Sequence, residues 1–200
     1  MNSRLVLTLA MLAATLPALQ GCFPLVAGGI AAGALAIDDR RTLATQAEDK
    51  TIFAKAETRI IERLGNQVHI NITSFNRRVL LTGEVPDERT RTEAERIAGG
   101  VENVAIVVNE LQIAGISSLT ARTNDAIITS KVKGNFVDER EVQANAFKVV
   151  TEASVVYLMG LVTRAEGDRA AAVAARTSGV KQVVKVFDYV PVAPRPAAAK

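Results

Sequence analysis

The chain carries one cysteine and one histidine, and their places bound the chemistry it can perform. Cys22 has no second thiol with which to form an intramolecular disulfide or a multi-cysteine metal site. It stands directly after Leu19-Gln20-Gly21 and an apolar run, Leu5 to Leu16, in which Thr is the only polar residue type. His69 lies in the alternating stretch Val68-His69-Ile70-Asn71-Ile72, opposite the apolar face, and is expected to be an exposed strand residue. With no second His or Cys to join it, neither a metal centre nor a histidine-based triad is predicted. The carboxylates of Asp87-Glu88, of Glu93 with Glu95, and of Asp138-Glu139 with Glu141 could in principle exchange protons. They fall in turns or on polar helix faces, where solvated charge accounts for them. No glycine-rich loop runs from a strand into a helix beside a suitable lysine. No catalytic residue, metal ligand or cofactor is therefore expected, and the chain is read as a non-enzyme.

The N-terminus says what the thiol is for. Arg4 supplies a small positive region, Leu5 to Leu16 an apolar one, and Pro17 ends any helix there. The run is too short to cross a bilayer. Leu19-Gln20-Gly21-Cys22 resembles the bacterial lipobox, in which an apolar residue and two small ones precede the lipidated cysteine; Gln20 departs from the usual small residue. Residues 1–21 are read as a lipoprotein signal peptide and Cys22 as the lipidation site, carrying a diacylglycerol and an N-acyl chain. Two or more chains, at about 0.8 kcal/mol per buried methylene, suffice for stable anchoring. Phe23 stands where an inner-membrane retention signal has Asp, so sorting to the outer membrane, facing the periplasm, is expected.

Beyond Cys22 the composition is globular, with 48% hydrophobic and 22% charged residues. Aromatics make up only 4% and Trp is missing, so the core must be built from aliphatic side chains. A formal charge of +3 is too small to imply nucleic-acid binding. Residues 22–48 read as the lipidated N-terminus and a flexible tether, 115–122 as a linker, and 191–200 as a disordered Pro/Ala tail.

Between these segments lies an internal repeat. Val79-Leu80-Leu81-Thr82-Gly83-Glu84-Val85 in one copy answers Val156-Tyr157-Leu158-Met159-Gly160-Leu161-Val162 in the other. Helical segments follow, Asp87 to Ala98 and Ala165 to Arg176, then Gly100-Val101 and Gly179-Val180, then a closing strand near Ile106–Ile113 and Val183–Val190. In the front halves, Ile52, Ala56, Ile60 and Leu64 recur at four-residue spacing, as do Ile128, Val132 and Phe136. Val68, Ile70 and Ile72 line one face of a strand, and Phe147 and Val149 begin its counterpart. Gly83 and Gly160 are read as points where the strand leaves its sheet. The predicted fold is α+β: two tandem domains, 49–114 and 123–190, each helix-strand-strand-helix-strand, with a small three-stranded sheet covered on one face by two helices.

This repeat resembles the BON domain, a small αββαβ module of bacterial envelope proteins. A lipobox followed by two copies is similar to the dual-BON-domain outer-membrane lipoproteins of the DolP type. Asn124-Asp125 with Thr129-Ser130-Lys131-Val132, Val156 to Thr163, and Ser178-Gly179-Val180-Lys181 carry the resemblance in the second copy. Asn71-Ile72-Thr73 and Val79 to Gly83 carry it in the first. The resemblance implies a protein that maintains the outer-membrane barrier, with enrichment near division sites; a monomer is expected. It also implies binding of anionic phospholipid, phosphatidylglycerol or cardiolipin, through the first helix of the second domain, about Asn124 to Phe136. Relatives often have Trp where this chain has Ile127. The expected lipid-binding residues are Asn124, Ile127, Ile128, Lys131 and Lys133. Charge agrees: residues 122–190 hold ten Lys/Arg against eight Asp/Glu, whereas 49–114 hold nine against ten. A second reading stays open, an interaction scaffold docking an envelope protein partner such as outer-membrane assembly or cell-wall remodelling machinery.

Overall fold

The computed structural model describes residues 39–65 and 68–191. The signal segment, Cys22, most of the tether and the tail beyond Pro191 lie outside the described residues. In chain order the elements are α1 (Leu43–Leu64), β1 (His69–Phe75), β2 (Arg78–Val85), α2 (Glu88–Gly99) and β3 (Ile106–Ile113). The second copy has α3 (Leu119–Asp138), β4 (Phe147–Glu152), β5 (Val155–Val162), α4 (Arg164–Ala175) and β6 (Gln182–Tyr189), with a single 3₁₀ turn at Ala144–Ala146. Each copy forms one three-stranded sheet, ordered β1-β2-β3 and β4-β5-β6. The central strand pairs antiparallel with the strand before it and parallel with the strand after the crossover helix.

Both hairpins turn on two residues with positive φ, Asn76-Arg77 and Ala153-Ser154. This is the turn geometry whose twist suits a two-residue hairpin. Neither pair contains glycine, and each is held from outside by a buried aspartate on the preceding helix. Asp49 accepts the N–H groups of Asn76 (2.7 Å) and Arg77 (2.8 Å). Asp125 accepts those of Ala153 (3.0 Å) and Ser154 (2.8 Å). The repeat therefore extends to a helix carboxylate that fixes each hairpin.

One face of each sheet packs under its two helices. Ile52, Ala56 and Ile60 of α1 meet Val79, Leu81 and Val85 of β2 with Ala94, Ile97 and Ala98 of α2. Ile128, Val132 and Phe136 of α3 do the same with Val156, Leu158 and Val162. The opposite faces of the two sheets pack on each other: Phe75 and Leu80 from the first copy meet Tyr157, Met159 and Val186 from the second. The result is four layers, helices outside and two sheets within.

Two boundaries differ from the sequence reading. Thr42 caps α1 by accepting from the Thr45 N–H, so the helix begins inside the segment read as tether. Ser118 caps α3 in the same way through Ala121, so half the expected linker is helical. Gly83 and Gly160 do not release their strands. Each stays paired, with Ile70 and Phe147 respectively. Gly83 is required by close approach: its φ is +114°, and a Cβ there would lie 2.0 Å from the His69 carbonyl oxygen.

Candidate functional site

Helix α3 is fastened to its domain along one side. Ile128, Val132 and Phe136 are buried in the core, Thr129 bonds Thr151 (2.7 Å), and Asn135 donates to Thr177 (2.8 Å). Ile128 is 1% exposed and packs beneath Gly179, so it cannot touch a lipid and leaves the set of expected contact residues. Its neighbour Ile127 is 49% exposed. One step along a helix turns a side chain by about 100°, which carries it from core to solvent.

The outward face continues past the residues that the sequence reading singled out. Leu119 is 79% exposed and Val137 73% exposed. Leu119, Thr123 and Ile127 follow at four-residue spacing, and Ser130, Gly134 and Val137 continue the row. Asn124, Lys131 and Lys133 are all exposed. Lys131 and Lys133 sit about 160° apart around the helix, one on each flank of the apolar row rather than side by side. Among the described residues neither lysine is within ion-pair distance of a carboxylate. The helix thus carries large apolar side chains on both sides: one row fills the core, and on the other Leu119, Ile127 and Val137 face water, with a lysine on each flank. Leu119 and Val137 were missed because the helix was expected only from Asn124 to Phe136. Ser118, read as an N-cap, would have brought Leu119 into the row.

The expected carboxylate clusters do structural work. Asp87 caps α2 through the Thr90 N–H (2.7 Å), and Glu93 pairs with Arg96 (2.6 Å). Glu141 pairs with Arg169 (3.0 Å). His69 differs from its expectation. It faces away from Val68, Ile70 and Ile72, but that face is covered by the second sheet, and its side chain is only 16% exposed. Its Nδ1 lies 2.8 Å from Glu84 Oε2, and Asn71 beside it donates to Glu152 Oε2 of the second copy (2.7 Å). Burial pushes the Glu152 carboxyl above the ordinary carboxylate range, and the neighbouring charges of Glu84 and Asp125 add to the rise.

The architecture defines a class, a tandem pair of αββαβ modules sharing an inter-sheet core. The BON domain family model matches residues 53–115 and 124–191, and the chain belongs to that family. It is 38% identical over 173 residues to the outer membrane lipoprotein DolP of Haemophilus influenzae, covering 86% of this chain and 90% of that protein. It is 31% identical to a 21 kDa hemolysin of Actinobacillus pleuropneumoniae, over 76% of this chain and 79% of that one. Osmotically-inducible protein Y of Escherichia coli is 30% identical, over 68% and 70% respectively. Among the described residues no helix is long and apolar enough to cross a membrane.

Proposed function

We propose that the protein is a lipid-anchored outer-membrane lipoprotein whose second BON domain binds anionic phospholipid through the outer face of α3, and that this contact supports envelope integrity, including at division sites. The observation that carries the reading is the exposed row Leu119, Ile127 and Val137, flanked by Lys131 and Lys133, on a helix locked to its domain from behind. Three large apolar side chains in one row give an acyl boundary something to bury, at about 1.5–3 kcal/mol for each when fully inserted. Each lysine near an anionic surface contributes on the order of 1 kcal/mol. Such a contact is weak alone, and acyl chains on Cys22 make it effective by holding the domain beside the bilayer. The outer-membrane assignment is supported by the Haemophilus influenzae relative and by Phe23 in place of Asp.

The test is vesicle flotation of residues 38–191, comparing phosphatidylcholine vesicles with vesicles containing phosphatidylglycerol or cardiolipin at two salt concentrations. Flotation with anionic vesicles alone, weakened by salt, is expected. Lys131→Glu with Lys133→Glu should lower binding at least about tenfold. Equal flotation with neutral vesicles contradicts the headgroup preference. No flotation with either transfers the exposed row of α3 to a protein partner.

A further inference from the structure

The inter-domain interface holds a cluster that the membrane reading does not use. His69 on β1 and Glu84 on β2 come from the first copy, and Glu152 closes β4 of the second. One donor atom from each lies within 4.8 Å of the other two. The donors are an imidazole and two carboxylates, a set suited to a borderline divalent cation such as zinc. Glu84 is 5% exposed and Glu152 4% exposed.

The buried acids are not balanced alike. Asp49 pairs with Arg41 at 2.8 Å, and Asp125 takes two backbone N–H groups. The partners of Glu84 are His69 and the Ser117 N–H, and that of Glu152 is the Asn71 amide. Among the described residues no Lys or Arg lies within ion-pair distance of either. Arg122 is the nearest candidate by position, but its guanidinium donates to Ser117 Oγ (3.2 Å) and the Ser117 carbonyl (3.1 Å). Two buried carboxylates against one imidazole leave a deficit of positive charge that a divalent cation removes.

There is also room and a path. A cavity of about 260 Å³, open to solvent, is lined by His69, Asn71, Arg122, Asp125, Thr129 and Glu152. It admits an ion with its water; on its wall the Asp125 carboxylate is offset by Arg122, so the attraction rests on Glu84 and Glu152. Zinc ligands lie about 2.0–2.2 Å from the metal, so donors around it sit closer than 4.8 Å. Closure requires side-chain movements of about 1 Å, within the reach of two glutamates of three torsions each.

We propose that His69, Glu84 and Glu152 form a zinc-type site that clips the two BON domains together, with water from the cavity as the fourth ligand. The proposal is independent of the membrane reading. The test uses the full chain in detergent without a polyhistidine tag, measuring zinc stoichiometry by calorimetry and thermal unfolding with and without zinc. One zinc per chain is expected, with a rise in Tm of about 5 °C or more at a concentration roughly a hundred times the dissociation constant. Magnesium should give no rise. His69→Ala should abolish the zinc increment. Glu152→Gln keeps the hydrogen bond to Asn71 and removes one buried charge, so its metal-free Tm should equal or exceed that of the parent while zinc binding falls at least about tenfold. No zinc increment in the parent, an equal increment with magnesium, or an increment surviving in both variants overturns the proposal.

Discussion

Arg40 lies just ahead of the first helix, yet its guanidinium grips the second copy. Nη1 and Nη2 each lie 2.7 Å from a carboxylate oxygen of Glu166, and Nη1 also donates to the Leu161 carbonyl (3.1 Å). Glu166 is at the same time the third residue of a capping box, accepting from the Thr163 N–H at 2.8 Å. The Arg40 hydrogen bond, with those from Thr163, holds the Glu166 carboxyl down at about 2, against an ordinary value of 4.5. A carboxyl lowered in the folded state stabilises fully above its unfolded pKa and loses that contribution as pH falls through the folded one. The pair is partly exposed, so its worth is on the order of 1 kcal/mol. Arg40→Ala should therefore cost about that much at pH 7 in urea unfolding. The difference from the parent should shrink between pH 4.5 and about 2, and a constant difference across that window would show that the ion pair is not its source. Neither partner was legible in sequence, since a contact between residues 40 and 166 leaves no local pattern. Ile127 and Ile128 were legible only in part: the four-residue spacing assigned Ile128 to the core, which is where it lies, yet the lipid set included it.

At the scale of elements the repeat was readable because each strand and helix carries its own period. The apolar spacing in α1 and α3, and the closing strands β3 and β6, stand where the pattern placed them. The caps Thr42 and Ser118 were overlooked, which shortened both leading helices and hid Leu119. Gly83 does not end a strand; it lets the β1 backbone pass, with the His69 carbonyl oxygen where a Cβ would be. Gly83→Ala combines a backbone clash with a left-handed φ. It should destabilise by about 3 kcal/mol or more in denaturant unfolding, and a loss below about 1 kcal/mol would contradict the required close approach.

At the scale of the molecule, what the sequence reading left out was the face between the sheets. The unbroken apolar run Val155–Val162 carried the signal, because a strand with one wet face alternates and one buried on both sides does not. Leu80, Tyr157 and Met159 answer the question of what covers the second face. Burial there, with the neighbouring charges of Glu110 and Glu152, pushes the Tyr157 hydroxyl up to about 12. With both sheets covered, Leu119, Ile127 and Val137 stay exposed along the outer face of α3, spaced by Thr123, Ser130 and Gly134, and the functional account rests on where that face goes. Residues 38–191 contain no native cysteine, so single cysteines at Ile127, Val137 and, as a control on α1, Glu57 can each carry an environment-sensitive fluorophore. With anionic vesicles, blue-shifted emission and quenching by brominated acyl chains at positions 127 and 137, with neither at 57, is the predicted result. Unchanged emission at 127 and 137, or an equal shift at 57, would contradict insertion of α3 into the bilayer.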